Sequence, residues 1–174
     1  MADRHLIKVL NDFGNEFVRR IQDRIIEKDG IASGEMLNQM DCEVRKEGVK
    51  WILYLKHVDY FTYWNDGTAP HWPPQEPIRK WIQAKPIYPD PDKRGKLPTV
   101  EQLAFLISRA MAGLSPDPSK KGGTEGRDVF DEVKNELLPK YEPLIAQAQA
   151  DDFKENYLSG KNFMEWGILS AKID

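Results

Sequence analysis

A single cysteine, Cys42, stands in a chain of 174 residues, so no internal disulfide can form and a reducing compartment is the expected place of synthesis. Histidine is almost as scarce. His5, His57 and His71 lie far apart and in no ligand spacing, which argues against a structural zinc site, and no cofactor is expected. No window approaches the roughly 20 apolar residues that span a bilayer, so no membrane partner is expected. The first residues, Met1 to His5, carry no basic segment followed by an apolar run, and a signal peptide is not expected either. Charge is close to balanced: a net charge of −3 is too small to point to nucleic acid as the recognised partner. Lys120, Lys121, Gly122 and Gly123 do not make a phosphate loop, because the GxxxxGK spacing with a following Ser or Thr is missing. What remains is a soluble composition, 40% hydrophobic and 30% charged, in a length that fits one domain with appendages.

The unusual residues gather between Asp59 and Lys85. Three of the five tryptophans, Trp64, Trp72 and Trp81, fall there, with Pro70, Pro73, Pro74 and Pro77. Tyr60, Phe61, Tyr63 and Trp64 suit a helical turn. Asn65, Asp66, Gly67 and Thr68 are turn chemistry, with Gly67 free to take a positive φ. The prolines forbid helix and central strand, so 70–74 should run as a stiff extended arm. Pro77 fits a first helical turn, and Ile78, Trp81 and Ile82 predict a short helix with one apolar side. The segment is a device for presenting a loop.

Around it, Leu6, Val9, Leu10, Phe13, Phe17, Ile21 and Ile25 predict an amphipathic helix over 3–28, started by Asp3 and stopped at Asp29 and Gly30, with Gly14 permitting a close approach. Ser33 offers a cap for a short turn through Met36 and Leu37. Alternation from Asp41 to Val44, a turn at Glu47 and Gly48, and a strand from Val49 to Lys56 predict a β-hairpin. The second strand is apolar on both faces (Trp51, Leu53 and Leu55 against Ile52 and Tyr54). One face should pack on the long helix and the other needs cover.

A proline-rich connector follows Lys85. Thr99 and Gln102 fit a capping box, and Val100, Leu103, Leu106, Ile107, Ala110 and Met111 form a helical stripe ending at Gly113. The loop 115–126 is expected to be mobile. Two more stripes, Val129 to Leu137 and Tyr141 to Ala148, should be broken by Pro139 and Pro143. The resulting fold class is α+β: a long N-terminal helix packed on a small antiparallel sheet, additional C-terminal helices and an extended C-terminal tail. Residues 1–157 are read as a single domain and 158–174 as a docking tail, apolar through Phe163, Met164 and Trp166, which packs on a neighbouring chain or back on its own domain.

Trp51, Trp64 and Trp81 sit at periodic positions and are expected in the core. Tyr63, Trp64, His71 and Trp72 are the candidate protein interface, so Trp64 is open to both readings. Cys42 reads as a small buried hydrophobe. Lys93, Arg94 and Lys96 alternate with Asp90 and Asp92 as a solvated loop. A hydrolase built on His57 or His71 with Asp59 or Asp66 would need those groups to converge, and no recognisable catalytic set is present. An enzyme is therefore not expected.

The order of these motifs resembles the small head-to-tail joining (neck) or tail-completion proteins of tailed bacteriophages. The matching residues are Ser33, Gly34, Met36 and Leu37; Tyr60, Tyr63, Gly67 and Thr68; Pro73 and Pro74; Pro77, Ile78, Trp81, Ile82 and Lys85; and the helix through Leu103 and Met111. The resemblance covers roughly residues 3–150. Two departures stand out: Asn65 replaces a Glu common two positions before the Gly-Thr pair, and the tail after about Leu158 has no counterpart. The resemblance implies a virion protein assembled in the host cytoplasm as a homo-oligomeric ring. Such a ring meets the portal or an adaptor on one side and tail proteins on the other, and genomic DNA passes through its lumen without sequence-specific contacts. The alternative is a cytoplasmic adaptor that binds proteins through the proline-tryptophan loop.

Overall fold

The computed structural model describes residues 3–28, 30, 34–85, 87, 89–91, 95–117, 119 and 121–158. Ser33, Lys93, Arg94 and the tail residues Phe163, Met164 and Trp166 lie outside them. The fold is α+β. In chain order the elements are α1 (Arg4–Glu27), α2 (Glu35–Asn38), β1 (Asp41–Glu47), β2 (Lys50–Lys56), α3 (Asp59–Asp66), β3 (Gly67–Thr68), α4 (Gln75–Ala84), α5 (Val100–Met111), β4 (Thr124–Glu125) and α6 (Val129–Phe153), the last running into a π-helical turn, Lys154–Leu158. No helix among the described residues is long and apolar enough to cross a membrane. The described chain divides into two compact units. Unit 1 holds residues 3–20, 41–56 and 131–158, and unit 2 holds 21–40 and 57–130.

In unit 1 the hairpin lies against α1 where Gly14 is buried: a Cβ there would meet Cys42 Sγ at 2.5 Å and Leu53 Cδ1 at 2.9 Å. Glu47 pairs with Lys50, so the loop is Gly48 and Val49, with Gly48 at φ 62°. The predicted turn was one residue early. Val49 sits 94% exposed at the tip instead of opening the strand. Cys42 is half-buried, and burial pushes its thiol up.

The register also corrects the expectation that the sheet is apolar on both sides. Cys42 with Leu55, Val44 with Leu53 and Lys46 with Trp51 share the face toward α1. Opposite them, Ile52 and Tyr54 are flanked by charge. Arg45 reaches Glu43 through Nε at 2.6 Å and Nη2 at 2.8 Å, Lys56 is 2.7 Å from the same carboxylate, and Tyr54 donates to Glu47 at 2.5 Å. β1 supplies Glu43, Arg45 and Glu47 and β2 supplies Lys56, so the outer face does not require a second layer.

Asp3 precedes α1, but its carboxylate is turned to the hairpin, accepting from Lys46 Nζ at 2.6 Å and Trp51 Nε1 at 3.1 Å. The free N–H groups of the first turn are met from the far end of the chain. His5 N and Leu6 N donate to the two oxygens of buried Asp152 at 2.9 and 2.8 Å.

The predicted break in the last helical region does not occur, and α6 is one helix with Pro139 and Pro143 inside it. Both prolines are exposed, as is Asn135, whose carbonyl loses its partner to the first of them, so water can satisfy what the ring removes. Val129, Val133, Leu137, Tyr141 and Ala148 continue a buried stripe on the other side. Glu16 of α1 accepts from Lys140 Nζ and from Tyr141 Oη, both at 2.6 Å.

These contacts set a pH dependence. Hydrogen bonds from Arg45 and then Lys56 hold Glu43 at about 2, and Lys140 with Tyr141 holds Glu16 low; burial, then Glu16, pushes Tyr141 up to about 12. The two glutamates favour the folded state above their unfolded range, so stability should fall as pH drops from 4.5 toward 2. Tyr141 prefers its neutral form in the fold, so its contribution should be lost as pH rises from 10 to 12. Urea midpoints should show a shallower alkaline fall in Tyr141→Phe and a shallower acid fall in Glu43→Gln. Slopes equal to those of the parent protein would refute these assignments.

In unit 2, α4 and α5 pack through Ile78, Ile82 and Ala104, with Ile87, Val100, Leu103, Ile107 and Met111 around them. Thr99 and Gln102 make the predicted capping box. Ser108 is fully buried, its hydroxyl donating to Ala104 O at 2.9 Å. Two expectations fail here. Leu106 and Trp81, read as buried, are 49% and 42% exposed. The small side chain of Ala104 faces Ile78 and Ile82 and lets the helices approach, and the larger residues lie outward.

Candidate assembly surface

The aromatic stretch becomes α3, with Phe61 and Asn65 on its buried side and Tyr60 and Tyr63 outside. Phe61 packs against His57 at 5.1 Å and Trp64 at 6.3 Å between ring centroids. Trp64 is half-buried and closes on Gly30, where a Cβ would stand 2.8 Å from Trp64 Cζ2. Trp51 is likewise half-buried in unit 1.

Asn65 organises the turn that follows. Its backbone oxygen accepts from Arg127 N at 2.7 Å and Asp128 N at 3.0 Å, and its side-chain oxygen accepts from Phe130 N at 2.9 Å, in the first turn of α6. Its amide donates to Asp66 at 2.6 Å. Asn65 therefore caps a helix that begins 64 positions later in the chain, at Val129. Asn65→Ala should lower stability by about 2 kcal/mol through the unmet N–H of Phe130, read as a urea midpoint. An unchanged midpoint would remove the capping role.

Gly67, at φ 78°, ends α3, and Gly67 and Thr68 pair with Glu125 and Thr124. The pairing is close enough to need glycine on both sides. An added Cβ at Gly67 would lie 2.4 Å from Thr124 O, and one at Gly123 would lie 2.2 Å from Thr68 O. Met111 O, at the open end of α5, accepts from Gly123 N at 2.7 Å and His71 N at 3.2 Å. The loop expected to be mobile is thus, over 121–126, a clasp that holds the proline arm.

The arm carries His71 and Trp72 outward, while Pro73 is buried and anchors it. Trp72 meets Phe105 of α5 edge to face at 5.6 Å. Both remain largely in solvent, 47% and 46% exposed, and Tyr63 is 62% exposed. Of the predicted interface residues, Tyr63, His71 and Trp72 are at the surface and Trp64 is half-buried. Phe105 and Leu106 were missed, since both read as parts of an ordinary helix. Glu101 and Arg109 flank Phe105 by four residues on either side of α5.

His71 Nδ1 lies 2.9 Å from Ala69 O and His57 Nδ1 lies 3.0 Å from Val58 O, so each imidazole is set by backbone. Elsewhere, in unit 1, His5, Asp152 and Glu155 bring ligand-type atoms within 4.8 Å of one another. Sequence reading missed this cluster because it joins opposite ends of the chain. Both oxygens of Asp152 already serve the start of α1, and Glu155 is 3.1 Å from Arg4 and 3.2 Å from His5. A cation there would face the positive end of a helix dipole. The chemistry of the group is that of a fastening between α1 and the end of α6.

Comparison with protein-family models, curated proteins and solved structures finds no match to this chain.

Proposed function

We propose that this chain is a structural subunit of a tailed-bacteriophage head–tail connector, a neck or tail-completion protein. Copies of it close into a ring between portal and tail and leave a lumen for genomic DNA. One observation carries the reading: Tyr63, Trp72, Phe105 and Leu106 stand exposed, and the arm that carries Trp72 is tied to the end of α5 through His71 N and Gly123 N on Met111 O. Exposed aromatic groups on a fixed backbone lose little freedom when covered, which is how interface anchors work. A ring needs such a patch to meet a different patch on the next copy, with a rotation that closes. The motif order from Ser33 to Met111 supplies the phage context.

Particles of a virus carrying this gene test the proposal. With the gene silenced by a suppressible stop codon, filled heads and unattached tails should accumulate, and mass spectrometry of wild-type particles should find the chain in a small fixed copy number. Joined, infectious particles without the protein would overturn it.

A further inference from the structure

The exposed pair Trp72 and Phe105 with Leu106 needs an occupant, and the chain carries one of matching chemistry. Past Leu158 the sequence holds Phe163, Met164, Trp166, Ile168 and Leu169 within residues 159–174. The last aromatic groups before it, Phe153 and Tyr157, stack on each other at 4.8 Å while 55% and 44% exposed, so two aromatic side chains already stand at the surface near the end of the described chain. An extended segment of that length reaches on the order of 50 Å, enough to cross to another subunit.

Charge adds a register. Glu101 and Arg109 stand either side of Phe105 on α5, about 12 Å apart along a helix. In the sequence Lys161 and Glu165 lie two positions either side of Phe163, a spacing that would span about 13 Å if the segment were extended. One orientation therefore sets Lys161 on Glu101, Phe163 on Phe105 and Glu165 on Arg109 together.

We propose that residues 159–174 of one copy dock in extended form across the Trp72, Phe105 and Leu106 face of a second copy, with Lys161 and Glu165 fixing the direction. The proposal rests on the ring reading above and gives the subunit contact its two halves, a face and a strap. A patch meeting a different patch is the head-to-tail arrangement that closes into rings.

Sedimentation velocity on the full chain tests it. Replacing Trp72→Ala with Phe105→Ala on the face, or Phe163→Ala with Trp166→Ala in the tail, should each weaken self-association on the order of a hundredfold. The face variant should keep its thermal midpoint. An equimolar mixture of the two variants should regain a two-chain species, because one intact tail meets one intact face. Glu101→Lys should weaken association and Lys161→Glu should restore it in the double variant. Association that survives the tail replacements, a mixture that stays monomeric, or a parent chain that is monomeric at every concentration overturns the docking. The ring reading is judged separately, by whether the chain is present in particles.

Discussion

Gly123→Ala should cost unit 2 at least about 3 kcal/mol, the largest stability loss expected from any single methyl group in this chain. Two penalties add. Gly123 has φ 72°, where an L side chain strains the backbone, and the new Cβ would stand 2.2 Å from Thr68 O. That oxygen belongs to backbone already paired across β3 and β4, so it cannot move without breaking Gly123 N to Met111 O and the pairing beside it. Gly48→Ala is the control. Gly48 has φ 62° with nothing within 4 Å of an added Cβ, so only the conformational penalty of about 1 kcal/mol applies. Urea midpoints compare the two. Equal losses would mean that the clasp yields, and the rigid support would go with it.

Asp152→Ala should cost about 3 kcal/mol and Asp3→Ala clearly less, although Asp3 is the residue that precedes the helix. Asp152 is buried and its two oxygens take the N–H groups of His5 and Leu6; removing it leaves one buried and one part-buried donor without partners at the positive end of α1. Asp3 gives up an exposed bond from Lys46 and a part-buried one from Trp51. Asp152→Asn should recover part of the loss, since one oxygen can still accept. Thermal unfolding followed by circular dichroism reads all three, and a larger loss from Asp3 than from Asp152 would reverse the assignment.

Elements with a local cause were legible in the sequence. The period of α1, the Thr99 box and the positive φ of Gly67 depend on neighbours in the chain, and each stands where the pattern placed it. What failed depends on residues far away. Pro139 and Pro143 read as breaks because the sequence does not say that both face water while the opposite side of the helix is buried. Leu106 and Trp81 read as core because they sit at periodic positions, whereas it is Ala104 that meets Ile78 and Ile82 between α4 and α5. The glycines at 122, 123 and 126 read as a loop tip because their partners, Gly113, Thr68 and Asn65, are between 9 and 61 positions away. Asn65 was legible as turn chemistry and as a departure from the resembling proteins, but not as the cap of α6, because Phe130 is 65 positions away.

Electron cryomicroscopy of the assembled particle tests the central claim most directly. Trp72, Phe105 and Tyr63 should each be closed over by a neighbouring subunit in a ring around the DNA path, with the glycine clasp unchanged behind them. Density that leaves those three side chains open to water in a particle containing the chain would contradict the account.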